Sequence, residues 1–380
     1  MKILYISHLH PPADEPLKNM GGMQRVSLQL VKTLSAREDV ELTTIGQETS
    51  WDYIELKTMR FLVDLYTRLP VLAARLKPDV LLFSSMVTAA LAPVIRERVD
   101  VPMVTINHGH DVTMNMAPYQ WYLPKVFRNL DGVISVSSAT REACILRGMH
   151  ADKGTALPNG FEADALTLSL PKSQAVQMLG EAAGKNLEGR PILLTTGRLV
   201  LRKGHEWFIN EVLPRVKSPV EYVIIGDGPE MQSVVEATLN STCRERIHLL
   251  GRQSDELLQA AYVAADLFVM PNIRVAGDME GFGIVMLEAN VAGTPVVASD
   301  LEGIRDVVRN GHNGYRIAPG EAGLFSEKID DLLDGNLAEL SESARNYVGS
   351  TFTWEQVSQR YLDYLKSVVV NYRLHQHNTW

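Results

Sequence analysis

Residues 278–300 read D-M-E-G-F-G-I-V-M-L-E-A-N-V-A-G-T-P-V-V-A-S-D. A glycine-flanked start leads into an apolar helix, and a strand of small and β-branched residues follows at once. A helix feeding directly into a buried strand is the unit of an α/β protein with parallel sheets. Glu280 and Glu288 bracket the helix start. Each helical residue turns by about 100° and rises ~1.5 Å, so Glu280 is expected just before the helix and Glu288 about two turns in. The two acids can then touch different parts of one elongated ligand. The N–H groups of Phe282 and Gly283 are expected to point at that ligand, and an unpaired helix N-terminus favours phosphate. Carboxylates beside a phosphate site make sense if they bind hydroxyls, so the ligand carries both phosphate and sugar. Taken alone, the spacing also fits an ordinary capped helix with a solvated face.

Outward from this stretch, short apolar runs alternate with helical patterns along all 380 residues. In the first half, strands are predicted near 2–7, 40–45, 79–83, 102–106, 132–136 and 154–157. The pattern restarts with strands near 191–196, 221–225, 246–249, 266–269, 295–298 and 314–317. The spacing predicts two doubly wound Rossmann-like domains of similar size that face each other across a cleft, because ligands in such folds bind beyond the carboxyl ends of the strands. The expected division is an N-terminal domain at 1–165, a linker at 166–190, a C-terminal domain at 191–350 and a last segment at 351–380. In that last segment Val357, Tyr361, Tyr364 and Leu365 share one helical face.

Composition sets further bounds. Apolar residues make up 46% and charged residues 22%, ordinary for a globular chain. A net charge of −8 argues against general nucleic-acid binding. The two cysteines, Cys144 and Cys243, lack metal-ligand spacing and fit a reducing cytosol. The start M-K-I-L-Y-I-S-H turns polar too quickly for a signal peptide, and no apolar run approaches the ~20 residues that cross a bilayer.

In the second half, T-T-G-R-L-V-L-R-K-G-H-E places Gly197, Arg198 and Lys203 between a strand end and a helix start. Two cations there can neutralise a diphosphate and stabilise it as a leaving group; the adjacent Arg202 is not counted with them. In Y-V-I-I-G-D-G-P-E, Gly226 and Gly228 allow a flat group to approach, although a turn explains them nearly as well. In L-L-G-R-Q-S-D-E-L-L, Gly251 and Arg252 can border a base, while Ser254 caps the next helix. Asp278 and Glu280 have no third partner for a metal, and a structural loop accounts for them.

In the first half, the loop S-H-L-H-P-P-A-D-E-P-L-K-N-M-G-G-M-Q-R-V ends in Gly21 and Gly22 at a helix start. Phosphate contact and plain loop flexibility both fit. No G-x-G-x-x-G is present, which argues against a nicotinamide dinucleotide. The run P-M-V-T-I-N-H-G-H-D-V sets His108, Gly109, His110 and Asp111 at a strand end. A histidine there can donate to a sugar hydroxyl or to a developing phosphate charge; backbone hydrogen bonding is the simpler alternative. The absence of G-x-S-x-G argues against covalent hydrolase chemistry. Residues 57–77 carry Lys57, Arg60, Arg68, Arg75 and Lys77 around a stripe of Phe61, Leu62, Leu65 and Leu69. Such a stripe fits peripheral contact with anionic lipid, or, more commonly, a core-facing helix.

Together, G-G-M-Q-R-V, H-G-H-D, L-P-N-G-F-E, T-G-R-L-V-L-R-K-G, I-I-G-D-G-P-E, L-L-G-R, E-G-F-G-I-V-M-L-E and F-T-W-E resemble the family 4 retaining glycosyltransferases of the GT-B fold, in order and over almost the whole chain. The resemblance implies transfer of a sugar from a nucleoside-diphosphate sugar, most often UDP, to an acceptor hydroxyl, with retention by front-face displacement. By resemblance, Arg198 and Lys203 clamp the diphosphate, Glu288 takes the ribose and Glu280 the transferred sugar. Phe282 and Gly283, with Gly281 and Ile284 beside them, support sugar and phosphate, and Gly22 meets the diphosphate. His108 matches the family's cleft histidine best; His110 is the second candidate and, with Asp111, lies on the acceptor side. The family needs no metal or other cofactor. Its last helix crosses back to the N-terminal domain. Expected partners are a nucleotide sugar and a sugar or lipid-linked acceptor, in glycan or glycolipid synthesis in the cytoplasm or at the inner face of a membrane.

Two other readings share this fold: a sugar-nucleotide epimerase, which lacks the paired glutamates, and a non-catalytic sugar-nucleotide binder with a decayed site. Arg198, Lys203, Glu280 and Glu288 are all present, which counts against decay.

Overall fold

The computed structural model describes residues 1–10, 22–48, 54–161 and 170–377. Two compact units are formed, Met1–Gly160 with Trp354–Trp380, and Phe161–Thr353.

The first unit is built on six parallel strands: β1 (Lys2–His10), β2 (Glu41–Glu48), β3 (Val80–Phe83), β4 (Met103–Asn107), β5 (Gly132–Ser135) and β6 (Gly154–Ala156). Their order is β2-β1-β3-β4-β5-β6. The second unit holds β7 (Ile192–Thr196), β8 (Glu221–Ile225), β9 (Ile247–Gly251), β10 (Leu267–Met270), β11 (Val296–Ser299) and β12 (Gly314–Ile317), ordered β12-β11-β10-β7-β8-β9. The central strands read VLLF, LFVM and VVAS and are buried throughout. Helices on both faces leave such strands no polar side, so they appear in sequence as continuous apolar runs. All twelve lie where the apolar runs predict them.

Strand order reverses between β1 and β3 in the first unit, and between β7 and β10 in the second. Loops leaving neighbouring strands on opposite sides of such a reversal open a crevice at the carboxyl ends. Gly197, Arg198 and Lys203 follow β7 and Glu280 follows β10 there, and His108 follows β4, one strand beyond the first reversal.

Three elements bear on those expectations. Residues 172–183, expected within a linker, form a helix (Lys172–Ala183) that buries Ala175 and Leu179 and packs on the helix Asp255–Ala264. The expected stripe on the helix Ile54–Leu76 is core, with Leu65 and Leu69 fully buried. A second apolar set on that helix, Leu56, Met59, Val63 and Tyr66, is exposed instead. Last, the C-terminal helix Trp354–His377 packs into the first unit, where Val357, Tyr361, Leu362 and Leu365 are completely enclosed. Tyr364 Oη accepts from the Val133 N–H at 3.0 Å and Arg373 pairs with Asp79 at 2.7 Å.

Candidate functional site

In the second unit, the chain leaving β7 passes Gly197 and closes a short turn, Leu201–Lys203, that carries two cations. The chain leaving β10 presents Pro271 and Asn272. The two loops are tied by the Ile273 N–H, which donates to the Arg202 carbonyl at 2.9 Å. A tight turn across the Val275–Asp278 bridge then brings the chain back at Glu280. Lys203 Nζ lies 2.7 Å from Glu280 Oε2, and Asn272 Nδ2 and Arg202 Nη1 donate to the same oxygen. Arg202 Nε pairs with Asp278 at 3.1 Å.

Lys203 and Glu280 are both buried. Burial works to raise the Glu280 carboxyl, but the charges of Lys203 and Arg202 outweigh it and hold the group at about 2. Burial lowers Lys203, with Glu280 partly restoring it. Two cations and two carboxylates thus form a compact cluster, with Lys203 and Glu280 buried and Arg202 and Asp278 partly exposed. An incoming anion meets preformed positive charge whose cost of desolvation is already offset by the acids. His205, behind Lys203, is buried and held down to about 3 by that burial and by Lys203's charge, so its ring is neutral.

The helix begins at Ile284, after Gly283 in a left-handed conformation (φ 85°). Its unpaired first-turn N–H groups therefore start two residues later than expected, and Glu288 sits about one turn in, not two. Tyr262 Oη donates to Glu288 Oε2 at 2.7 Å and accepts from Thr196 Oγ1 at 2.7 Å. Thr196 is the last residue of β7, so the sheet itself fixes the Glu288 carboxylate through a buried phenol.

The other second-unit candidates vary. Arg198 is exposed, with no hydrogen-bond or ion-pair partner among the described residues. Gly197 and Gly251 border open space, and Arg252 is exposed. Gly226 has φ 151° and a Cβ there would stand 1.8 Å from the Gly197 carbonyl oxygen. The close approach that requires this glycine is between two protein loops, which displaces the expectation of a flat ligand. Ser254 caps its helix by accepting from the Leu257 N–H at 3.2 Å. Gly281 and Phe282 are buried, and the Phe282 ring meets Phe352 edge-on at 6.2 Å.

In the first unit, the strand reversal gathers His8 from β1, Ser84 and Ser85 after β3, and His108 after β4. His108 Nε2 lies 2.9 Å from the Ser84 carbonyl. A carbonyl only accepts, so Nε2 carries a proton and donates it there. His8 Nδ1 approaches Ser85 Oγ at 3.5 Å, and burial, then His108, hold His8 at about 4. Asp111 is buried, and its oxygens accept from the backbone N–H groups of His108 (2.8 Å) and Met86 (3.1 Å). It shapes the loop around His108, where a side facing an acceptor was expected. His110 is exposed. Gly22 opens the helix Gly22–Ser35 with nothing near its Cβ direction; Gly21 lies outside the described residues. No three metal-ligating side chains converge among the described residues. Cys144 is buried, its thiol pushed up to about 12, and is structural.

Sequence reasoning missed Arg202, Asn272, Tyr262 and His8. Asn272 and His8 share one signal, a polar residue at the carboxyl end of a predicted buried strand.

Two parallel doubly wound sheets, each with polar groups at its reversal, define a GT-B-type glycosyltransferase. Residues 20–165 match the family described as Glycosyltransferase Family 4, and residues 190–335 match Glycosyl transferases group 1. The chain belongs to the family 4 type of GT-B glycosyltransferases. It is 28% identical over 286 residues, 73% of each chain, to the GDP-mannose-dependent alpha-(1-6)-phosphatidylinositol monomannoside mannosyltransferase of Mycobacterium tuberculosis. It is 30% identical over 256 residues to the phosphatidyl-myo-inositol mannosyltransferase of Mycobacterium leprae, covering 65% of this chain and 63% of that one. Among solved structures, Anabaena HepE in complex with UDP superposes with a TM-score of 0.73 at 18% identity, over 97% of this chain and 100% of that one.

Proposed function

We propose that this glycosyltransferase takes its sugar from a nucleoside-diphosphate donor held by the second unit and transfers it with retention of configuration. The observation that carries this is the buried Lys203–Glu280 pair at the β7/β10 reversal, with Arg202 and Asn272 on the same carboxylate. In the proposed reaction, Arg198, Arg202 and Lys203 meet the diphosphate, assisted by N–H groups at the helix start. The bond from the anomeric carbon to the β-phosphate oxygen breaks, and its electron pair stays on phosphate. The acceptor oxygen bonds the same face, and its proton passes to the departing phosphate oxygen. Glu280 holds the transferred sugar, and Glu288, fixed by Tyr262, takes the ribose hydroxyls. His108 serves the acceptor side in the first unit. This chemistry calls on no metal or cofactor, so full activity in chelator is expected.

Uridine is the base expected from family habit. Guanosine is the second reading, favoured by the names of the relatives that use GDP-mannose. A sugar or lipid-linked acceptor, at the inner face of a membrane, is proposed for the same reason. No helix among the described residues is long and apolar enough to cross a membrane. The exposed Leu56, Met59, Val63 and Tyr66, interleaved with Lys57 and Arg60, fit peripheral docking on anionic lipid.

Melting the protein with UDP, GDP and ADP and their sugar conjugates tests the donor, since a ligand stabilises by RT ln(1 + [L]/Kd). One base is expected to dominate, with its diphosphate released only when acceptor is added. A protein that no sugar nucleotide stabilises overturns the proposal.

A further inference from the structure

Among the described residues, only Lys77 and Glu302 combine a side chain with a positive φ. Lys77 follows a helix end, an ordinary place for that conformation. Glu302, at φ 42°, lies in the loop after β11. Its carboxylate accepts from the Glu280 N–H. The next residue, Gly303, donates its N–H to the Glu280 carbonyl at 3.0 Å. A Cβ on Gly303 would stand 2.2 Å from the Gly281 carbonyl oxygen, so the two loops are in backbone contact. Residues 302–303 therefore hold both main-chain polar groups of Glu280.

The arrangement works against two local preferences. A glutamate in the left-handed region is strained where a glycine is not. The Glu302 carboxyl also sits near those of Glu280 and Asp278 and is held above its usual range, chiefly by burial. Glycine would keep the backbone path and the Gly303 bond without either penalty. What Glu302 alone adds is an acceptor for the Glu280 N–H.

We propose that Glu302 is a positioning residue for the donor sugar: it fixes the backbone at Glu280–Gly281 and thereby sets where the Glu280 carboxylate meets the sugar. This rests on Glu280 contacting the transferred sugar, as proposed above. Lys203, Arg202 and Asn272 position the Glu280 side chain; Glu302 positions the main chain beneath it. Its loss affects recognition of the sugar and leaves that of the nucleoside diphosphate intact.

The test compares wild type, Glu302→Gly, Glu302→Gln and Glu280→Ala, titrated with GDP against GDP-mannose and UDP against UDP-glucose. Expected for Glu302→Gly is a melting temperature at or above wild type and an unchanged diphosphate affinity. Its affinity for the sugar nucleotide relative to the diphosphate falls about tenfold, as for loss of one charge-assisted hydrogen bond, and turnover falls with it. Glu302→Gln, which keeps an amide oxygen as acceptor, restores part of the loss. Wild-type sugar preference and turnover in Glu302→Gly, with Glu280→Ala impaired, overturn this inference alone. Wild-type sugar preference in Glu280→Ala overturns the assignment of Glu280 as well. A marked fall in the melting temperature of Glu302→Gly also overturns the inference, because the carboxylate then serves the fold and not the donor.

Discussion

The two strand reversals share an architecture and differ in charge. At β1/β3 the polar groups are a buried neutral imidazole, two serines and a histidine whose Nε2–H is tied to a carbonyl. At β7/β10 they are two cations and two carboxylates bonded to one another. A crevice lined by balanced ions can receive a multiply charged ligand by exchanging partners. One lined by neutral donors and acceptors suits hydroxyls, whose hydrogen bonds need no counter-charge.

The largest effect expected within the second unit comes from the far end of its sheet. Glu221, fully enclosed on β8, pairs with Arg190 (2.7 Å), Lys185 (3.3 Å) and His248 (2.7 Å). Glu221→Ala removes the acceptor shared by the partly exposed Arg190 and Lys185 and by His248, and should cost about 3 kcal/mol in urea unfolding, with donor affinity unchanged in the folded fraction. A loss of donor affinity there would remove the distinction between a structural ion cluster and a functional one. Lys203→Ala comes next: turnover should fall more than ~100-fold, as for loss of one charge stabiliser, read in steady-state kinetics with the folded fraction controlled.

Acid reports on both regions. His8 is held at about 4, below its ordinary 6.5. As pH falls below 6.5 the unfolded chain binds a proton that the folded chain refuses, so stability falls through the window from 6.5 to 4. The loss is about 2 kcal/mol at pH 5 relative to neutrality. His205 has the same sign and adds to it, down to about pH 3. Glu280 behaves oppositely in range: its folded value of about 2 lies below the ordinary 4.5, so its contribution is complete above 4.5 and is lost only as pH falls toward 2. The gap between unfolding curves at pH 7 and pH 5 should narrow by about 2 kcal/mol in His8→Gln, the remainder belonging to His205; an unchanged gap would show that His8 is hydrated. Smallest is Tyr262→Phe, which frees the Glu288 carboxylate from Thr196 and should weaken nucleoside diphosphate about fivefold, near 1 kcal/mol, by isothermal titration.

The fold was legible because the central buried strands appear as uninterrupted apolar runs; the edge strand β2, E-L-T-T-I-G-Q-E, is partly exposed and gives a weaker signal. The site was less so. Arg202 and Lys203 are neighbours in a tight turn, and no periodicity tells which side chain turns inward; here both do. Asp111 follows a strand, as a functional residue would, but backbone N–H groups take its oxygens. The helix start was misplaced because Gly283 delays it with a left-handed residue. Leu65 and Leu69 could not be separated from Leu56 and Met59 by pattern, since one helix carries two apolar faces and only tertiary packing decides which is covered. Glu302 and Tyr262 act on acids far from them in the chain, and nothing local announces such a partnership.

The helix Trp354–His377 gives the first unit an interrupted origin. A ribosome delivers its first 160 residues early and the helix Trp354–His377 only after the whole intervening unit has been made. Until then the surface that will receive Val357, Tyr361, Leu362 and Leu365 stays open to solvent and to neighbouring nascent chains. A plasmid meant to yield the first unit alone must splice that terminal segment back onto residue 160, whereas the second unit can be cut out as one uninterrupted piece.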